Sequence, residues 1–232
     1  MKKLLKTMIL FFSLGTVFAQ EAPSDQIAEK LKDLISNLAE TDYRHSIEIE
    51  EEAGVVKTDC SGLAVYLLQA TSPEHYDLIE LSDNPRARAK DFYRFFSSLD
   101  EDQSGSAGND EEGSKLWDSV NHMEEIKPGD IIVYEFKDEL KKAKGSTGHV
   151  MIAMSEAVKT ESGDYAVRIA DSTRKPHADD TRSEREEQDG LGMGVMWFVS
   201  DEQGRPVGYR WAKPDGNVRG ADVKGILVAR AN

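Results

Sequence analysis

The chain has 232 residues, 39% of them apolar and 31% charged, with a formal net charge of −14. That length suits one domain, or one domain with a large insertion, around a core of ordinary size. An isoelectric point near 4.8 argues against a phosphate-tracking nucleic-acid binder, which needs a basic surface, and a single cysteine excludes a disulfide framework and a cysteine-rich zinc site.

Residues 1–19 read as a secretory signal: Lys2, Lys3 and Lys6 make a cationic start, Met8 to Leu14 an apolar run, and Val17-Phe18-Ala19 a small-x-small-like end. The run is too short to span a bilayer, so no stable membrane anchor is expected once the segment is cut after Ala19. Removing the three lysines leaves 26 Lys and Arg against 43 acids, a mature charge of −17. The expectation is an acidic bacterial protein exported to the periplasm or beyond. An unpaired thiol in an oxidising compartment is either buried inertly or put to use.

An N-terminal helical segment (20–40) follows, in which Ile27, Leu31, Leu34, Ile35 and Leu38 form one stripe from Ser24 to Leu38, with Ser24 or Asp25 as cap. The rest, 41–232, reads as one catalytic-sized domain. Asp59 precedes a helix running from Cys60 to Leu68 and ended by Ser72-Pro73. Pro85 to Leu99 reads as a third helix with Phe92, Phe95, Phe96 and Leu99 as core residues, and Asp100 to Ser114 as an acidic Gly/Ser-rich loop. Then the pattern turns to strands: Ile131 to Phe136 after the turn Lys127-Pro128-Gly129-Asp130, then Gly148 to Met154, Tyr165 to Ala170, Leu191 to Val199, Val207 to Trp211 and Ile226 to Ala229. His177 to Gly190 reads as a charged loop. Helices first and an antiparallel sheet second is an α+β layout.

Cys60 sits where a thiolate is easiest to form, in the first turn of a helix capped by Asp59, beside free N–H groups and the positive end of the macrodipole. A thiolate nucleophile needs a base that later protonates the leaving amine. Of the five histidines, His45, His75, His122 and His177 lie in polar or loop-like contexts, whereas His149 opens the strand Gly148-His149-Val150. If the two strands that follow pair with His149 opposite Asp171, Met151 opposite Ile169 and Ala153 opposite Val167, the Asp171 carboxylate orients the imidazole. A one-residue slip would turn it away, leaving Ser172 and Thr173 as fallback partners.

Three elements in this order, Asp59-Cys60-Ser61-Gly62-Leu63, Lys127-Pro128-Gly129-Asp130-Ile131 and Gly148-His149-Val150, resemble the NlpC family of papain-like bacterial cell-wall cysteine peptidases. The resemblance covers roughly Tyr43 to Asp171. It implies a papain-like α+β fold with N-terminal helices packed on a central antiparallel sheet, Cys60 as nucleophile, His149 as general base and acid, and Asp171 as orienter, where the family more often carries His, Asn or Gln. It implies substrate contacts from Tyr43, Asp59 and Ser61, although the Tyr-x-x-Gly-Gly-like context usual around the tyrosine is missing. The oxyanion would be held by the Cys60 N–H and a neighbouring donor. No cofactor or metal is implied, and the partner is peptidoglycan or another peptide. The segment 71–125 is longer than typical members carry and reads as an insertion that reshapes substrate entry.

The resulting expectation is an exported cysteine hydrolase cutting amide bonds in peptidoglycan stem peptides. Two alternatives keep the same residues: an acyl or amide transferase, and a secreted binding module without turnover.

Overall fold

The structure, a computed structural model, describes residues 21–103, 116–185 and 189–232. The expected signal segment 1–19 therefore lies outside the described residues, as does the acidic loop from 104 to 114. The first element, α1 (Pro23–Ser36), buries Ile27, Leu31 and Leu34. Neither Ser24 nor Asp25 caps it: Pro23 opens the first turn and Ala22 is the N-cap, without a side-chain bond. Proline suits that position because its φ is preset and its missing N–H has no helical partner to lose.

Three short strands absent from the sequence reading come next: β1 (Glu40–Asp42), β2 (Ile47–Glu50) and β3 (Val55–Thr58). They form a small sheet in the order β1-β3-β2. Each is only three or four residues long, so they carry little hydrophobic signal. Helix α2 (Cys60–Thr71) is capped by Asp59, whose Oδ1 accepts the Gly62 N–H at 2.8 Å. After the short α3 (Pro73–Asp77), α4 runs over Ala89–Gln103. It starts four residues later than the sequence suggests, because the Asp91 carboxylate accepts the backbone N–H of Arg88 at 2.9 Å and of Ser82 at 3.2 Å, fixing the first turn there.

The larger sheet comprises β4 (Trp117–Ser119), β5 (Ile131–Phe136), β6 (Gly148–Ala153), β7 (Val158–Lys159), β8 (Tyr165–Thr173), β9 (Gly190–Ser200), β10 (Pro206–Arg210) and β11 (Val223–Ala231). A seven-residue helix, α5 (Asp138–Lys144), joins β5 to β6. The strand order is β10-β9-β8-β6-β5-β11-β4, with β7 on β8, and every pairing is antiparallel. Strands β10 and β11 approach each other across the sheet, which curls it into a half-barrel.

Strand alternation sorts the side chains into two cores. Ile131, Val133, Val150, Ile152, Ala170 and Leu191 face α1, α2 and α4. Ile132, Tyr134, Met151, Val167, Ile169 and Phe198 fill the inside of the curl. The architecture is therefore mixed α+β, helices on a central antiparallel sheet. The segment 71–125 is not a detached appendage: Phe92, Phe96, Leu99 and Trp117 belong to the helix-side core, and β4 adds a strand to β11.

The Pro128-Gly129-Asp130 turn locks α1 to the sheet. Gly129 has φ +90°, and a Cβ there would stand 1.9 Å from the Ser24 carbonyl oxygen. Asp130 is fully buried; it accepts the Lys127 N–H at 2.8 Å and the Arg230 Nε and Nη2 groups at 2.7 and 2.8 Å. Gly129→Ala meets both backbone strain and a clash with main chain, so it should destabilise the fold by about 2–4 kcal/mol. Urea unfolding of the purified variant measures this; a change below about 1 kcal/mol would show that α1 moves aside freely.

Candidate functional site

Cys60 begins α2 and is buried, with 8% of its surface exposed, at one end of the half-barrel. His149, second residue of β6, points to the inner face with Met151 and lies between Tyr134 and Trp211, at ring-centroid distances of 5.9 and 5.4 Å. Its Nε2 lies 2.5 Å from Asp171 Oδ2. Cys60 acts on His149 electrostatically. Burial works against the imidazolium, and the Cys60 and Asp171 charges outweigh it, so His149 is pushed up to about 10.

The strand register expected from sequence is corrected by two residues. The ladder sets Ile152 opposite Ala170 and Ala153 opposite Ile169, rather than Met151 opposite Ile169 and Ala153 opposite Val167. The cause is the connection, which forms a hairpin of its own, with Val158 opposite Ala166 and Lys159 opposite Tyr165. A shift of two keeps every side chain on its face, so Asp171 still meets His149 along the diagonal. The fallback partners are elsewhere: Ser172 Oγ donates to the Thr58 carbonyl, and Thr173 lines a cleft.

Asp171 is the centre of a buried network that the sequence did not disclose. Its Oδ2 also faces His177 Nε2 at 3.0 Å, and its Oδ1 accepts Arg182 Nη2 at 2.9 Å. Asp180 accepts three bonds from Arg182, through the backbone N–H and Nε at 2.8 Å and Nη2 at 2.6 Å. His177 reaches the Trp211 carbonyl through Nδ1 at 3.1 Å, and its ring lies against the indole at a centroid distance of 4.1 Å, tilted by 38°. Burial alone would raise Asp171; the His177 and Arg182 charges and the two histidine hydrogen bonds reverse this and hold its carboxyl well below the usual range. Arg182 is fully buried, and Gly192 makes room for it: a Cβ there would lie 2.4 Å from its Nε. His177, expected in a solvated loop, is thus a buried member of the site.

Asp59 and Ser61 face the opposite wall. Asp59 Oδ2 accepts Arg86 Nη2 at 2.6 Å and lies 3.0 Å from His45 Nδ1, while Ser61 Oγ accepts Arg86 Nη1 at 2.9 Å. Burial opposes ionisation of Asp59, but Arg86 and His45 hold it below the ordinary carboxylate range. Tyr43 follows β1, sits under the Arg174 guanidinium at 5.0 Å and packs edge-on against His45. Burial and then the Cys60 and Asp59 charges push its phenol up. Two adjoining clefts open here, of about 630 and 430 Å³. The first is lined by Cys60, Asp59, Ser61 and Arg86, the second by His149, Tyr134 and Trp211, and Tyr43 borders both.

Chemically, the structure brings Cys60, His149 and Asp171 to one end of the barrel and opens two clefts there. Among the described residues no group of three or more His, Cys, Asp or Glu is placed to hold a metal ion, and no helix is long and apolar enough to cross a membrane. No protein-family model matches this chain, and no solved structure does. The chain is similar to an uncharacterized protein, R653, of Acanthamoeba polyphaga mimivirus, 28% identical over 171 residues, covering 67% of this chain and 68% of that protein.

Proposed function

We propose that this protein is a cysteine hydrolase of amide bonds, with Cys60 as nucleophile and His149 as general base and acid. The observation that carries the proposal is the buried His149, held by Asp171 at 2.5 Å and biased toward imidazolium by the charge of Cys60. An imidazolium beside a thiolate is the resting form of an activated cysteine, and the same proton serves the leaving amine. The first-turn N–H of Cys60 has no helical acceptor and supplies one oxyanion donor. Tyr43, Asp59 and Ser61 shape the cleft on the acyl side.

Two further expectations travel with this reading. The half-barrel with α2 on its helix side is compatible with a papain-like, NlpC-type fold, and the ordered Asp-Cys-Ser-Gly, Pro-Gly-Asp and His-Val elements favour peptidoglycan stem peptides as substrate. The signal-like 1–19 segment favours a periplasmic or secreted site of action. The test is mass spectrometry of the fragments released from a defined muropeptide by the wild-type protein. Turnover should persist through neutral pH and fall along an alkaline limb near 10, where His149 loses the proton it holds below that value. Intact muropeptide at every pH would remove the assignment.

A further inference from the structure

One arginine stands over the start of α2 without belonging to it. Arg86 lies between α3 and α4, within the segment 71–125, and the chain around it is tied so as to deliver it. The buried Asp91 carboxylate joins the two ends of 82–88 by accepting the backbone N–H groups of Ser82 and Arg88. Ala87 is fully buried, and its N–H donates to the Tyr76 hydroxyl at 3.3 Å. With both neighbours held, the Arg86 side chain is mostly buried and its guanidinium faces the first turn of α2.

There it closes a ring of hydrogen bonds around Cys60. Arg86 Nη2 donates to Asp59 Oδ2 at 2.6 Å and Nη1 to Ser61 Oγ at 2.9 Å. Ser61 Oγ donates in turn to Asp59 Oδ1 at 3.1 Å, which also accepts the Gly62 N–H at 2.8 Å. Residues 59, 61 and 62 are thus tied together, and Cys60 lies between them. A flat, two-pronged guanidinium spans both acceptors, which the point charge of an ammonium cannot do. The charge matters as well as the shape. Among the described residues Asp59 is the only carboxylate lining the cleft at Cys60, and it is buried. Its other cationic partner is His45, whose side chain is 68% exposed. Without Arg86 a buried anion would stand beside Cys60 with little to compensate it, opposing a thiolate there.

We propose that Arg86 is a positioning residue for Cys60, fixing the first turn of α2 from outside the helix and cancelling the Asp59 charge beside the nucleophile. The segment 71–125 then takes part in the reaction rather than only walling the cleft. This rests on Cys60 being the reactive group, and the experiment separates the two ideas.

Alkylation of Cys60 by iodoacetamide is followed across pH by intact mass, beside muropeptide release. The wild type is compared with Arg86→Met, Arg86→Lys and the double variant Asp59→Asn with Arg86→Met. Arg86→Met should move the alkylation profile upward by about one pH unit. It should lower kcat about 10- to 100-fold while KM changes less than about threefold. The double variant should bring the profile back toward that of the wild type, because asparagine keeps the cap on Gly62 and leaves no anion to compensate. Arg86→Lys should keep the wild-type profile, having the charge, yet lose at least about threefold in kcat, lacking the fork. A role in packing alone would move neither the profile nor its recovery in the double variant.

If the wild type turns over and Arg86→Met matches it in profile and kcat, the positioning role falls and the nucleophile stands. If the wild type releases nothing, but the profile moves in Arg86→Met and returns in the double variant, the hydrolase reading falls and the hold of Arg86 on Cys60 stands. If iodoacetamide labels Cys60 at no pH, both fall. Should Arg86→Met not fold, Arg86→Lys decides, and a wild-type kcat there overturns the proposal.

Discussion

Cys60→Ala should eliminate turnover, lowering kcat/KM at least about 10⁴-fold, while changing the unfolding free energy by less than about 1.5 kcal/mol. The asymmetry follows from where the sulfur sits. The start of α2 is held by the Asp59 cap on Gly62 and by the Arg86 bonds to Asp59 and Ser61, none of which uses the thiol. The thiol lies at a cleft wall, so its loss leaves no closed cavity to collapse. Cys60→Ser should be almost as inactive, since a hydroxyl is far harder to ionise and His149 would have no thiolate to pair with. Muropeptide release and urea unfolding, run on the same preparations, check both halves. A Cys60→Ala protein that turned over at the wild-type rate would exclude Cys60 as nucleophile, whatever its stability.

Much of the site's inner geometry was legible because it is encoded locally. An aspartate before Cys-Ser-Gly is an N-cap wherever a helix follows, and the cap bond from Gly62 forms within three residues of it. The face of Asp171 was legible for a different reason: side-chain direction depends on register only through its parity, so the two-residue error in pairing left His149 and Asp171 together. The second layer was not legible. Arg182 and Asp180 lie in a stretch whose charge density reads as solvated loop, and their burial depends on Gly192 and Gly194 in β9, which leave room beside Arg182 and Asp180. The boundary of α4 was missed because Asp91, three residues inside the helix, supplies the cap by reaching back to Arg88. Strands β1 to β3 were missed because each is only three or four residues long, too short for its pattern to stand out. The Cys60 end of the site was thus written in neighbouring residues, and its support in residues brought together only by the curled sheet.

That support is where the largest stability effect is expected. Arg182→Met should destabilise the protein by about 3–5 kcal/mol. At about 2–4 °C per kcal/mol for a chain of this size, the thermal midpoint should fall by roughly 6–20 °C. Arg182 is fully buried and neutralises two buried carboxylates, Asp171 at 2.9 Å and Asp180 at 2.6 Å. Methionine can fill the volume, but it leaves Asp180 with only the backbone N–H groups of His177 and residue 182, and Asp171 with only His149 and His177. An exposed pair offers the contrast: Arg205, 60% exposed and bonded to Asp201, should cost less than about 1 kcal/mol when replaced by methionine. The acid limb of stability gives an independent reading. Asp171 and Asp180 are held below the usual carboxylate range, so the stability they contribute is present above their unfolded values and is lost as pH falls through the folded ones. Without Arg182 the folded values rise, and acid unfolding should begin at higher pH than in the wild type. Should Arg182→Met match Arg205→Met in both thermal midpoint and acid limb, the buried network would be incidental to the fold, and Asp171 would have to be held for His149 by some other means.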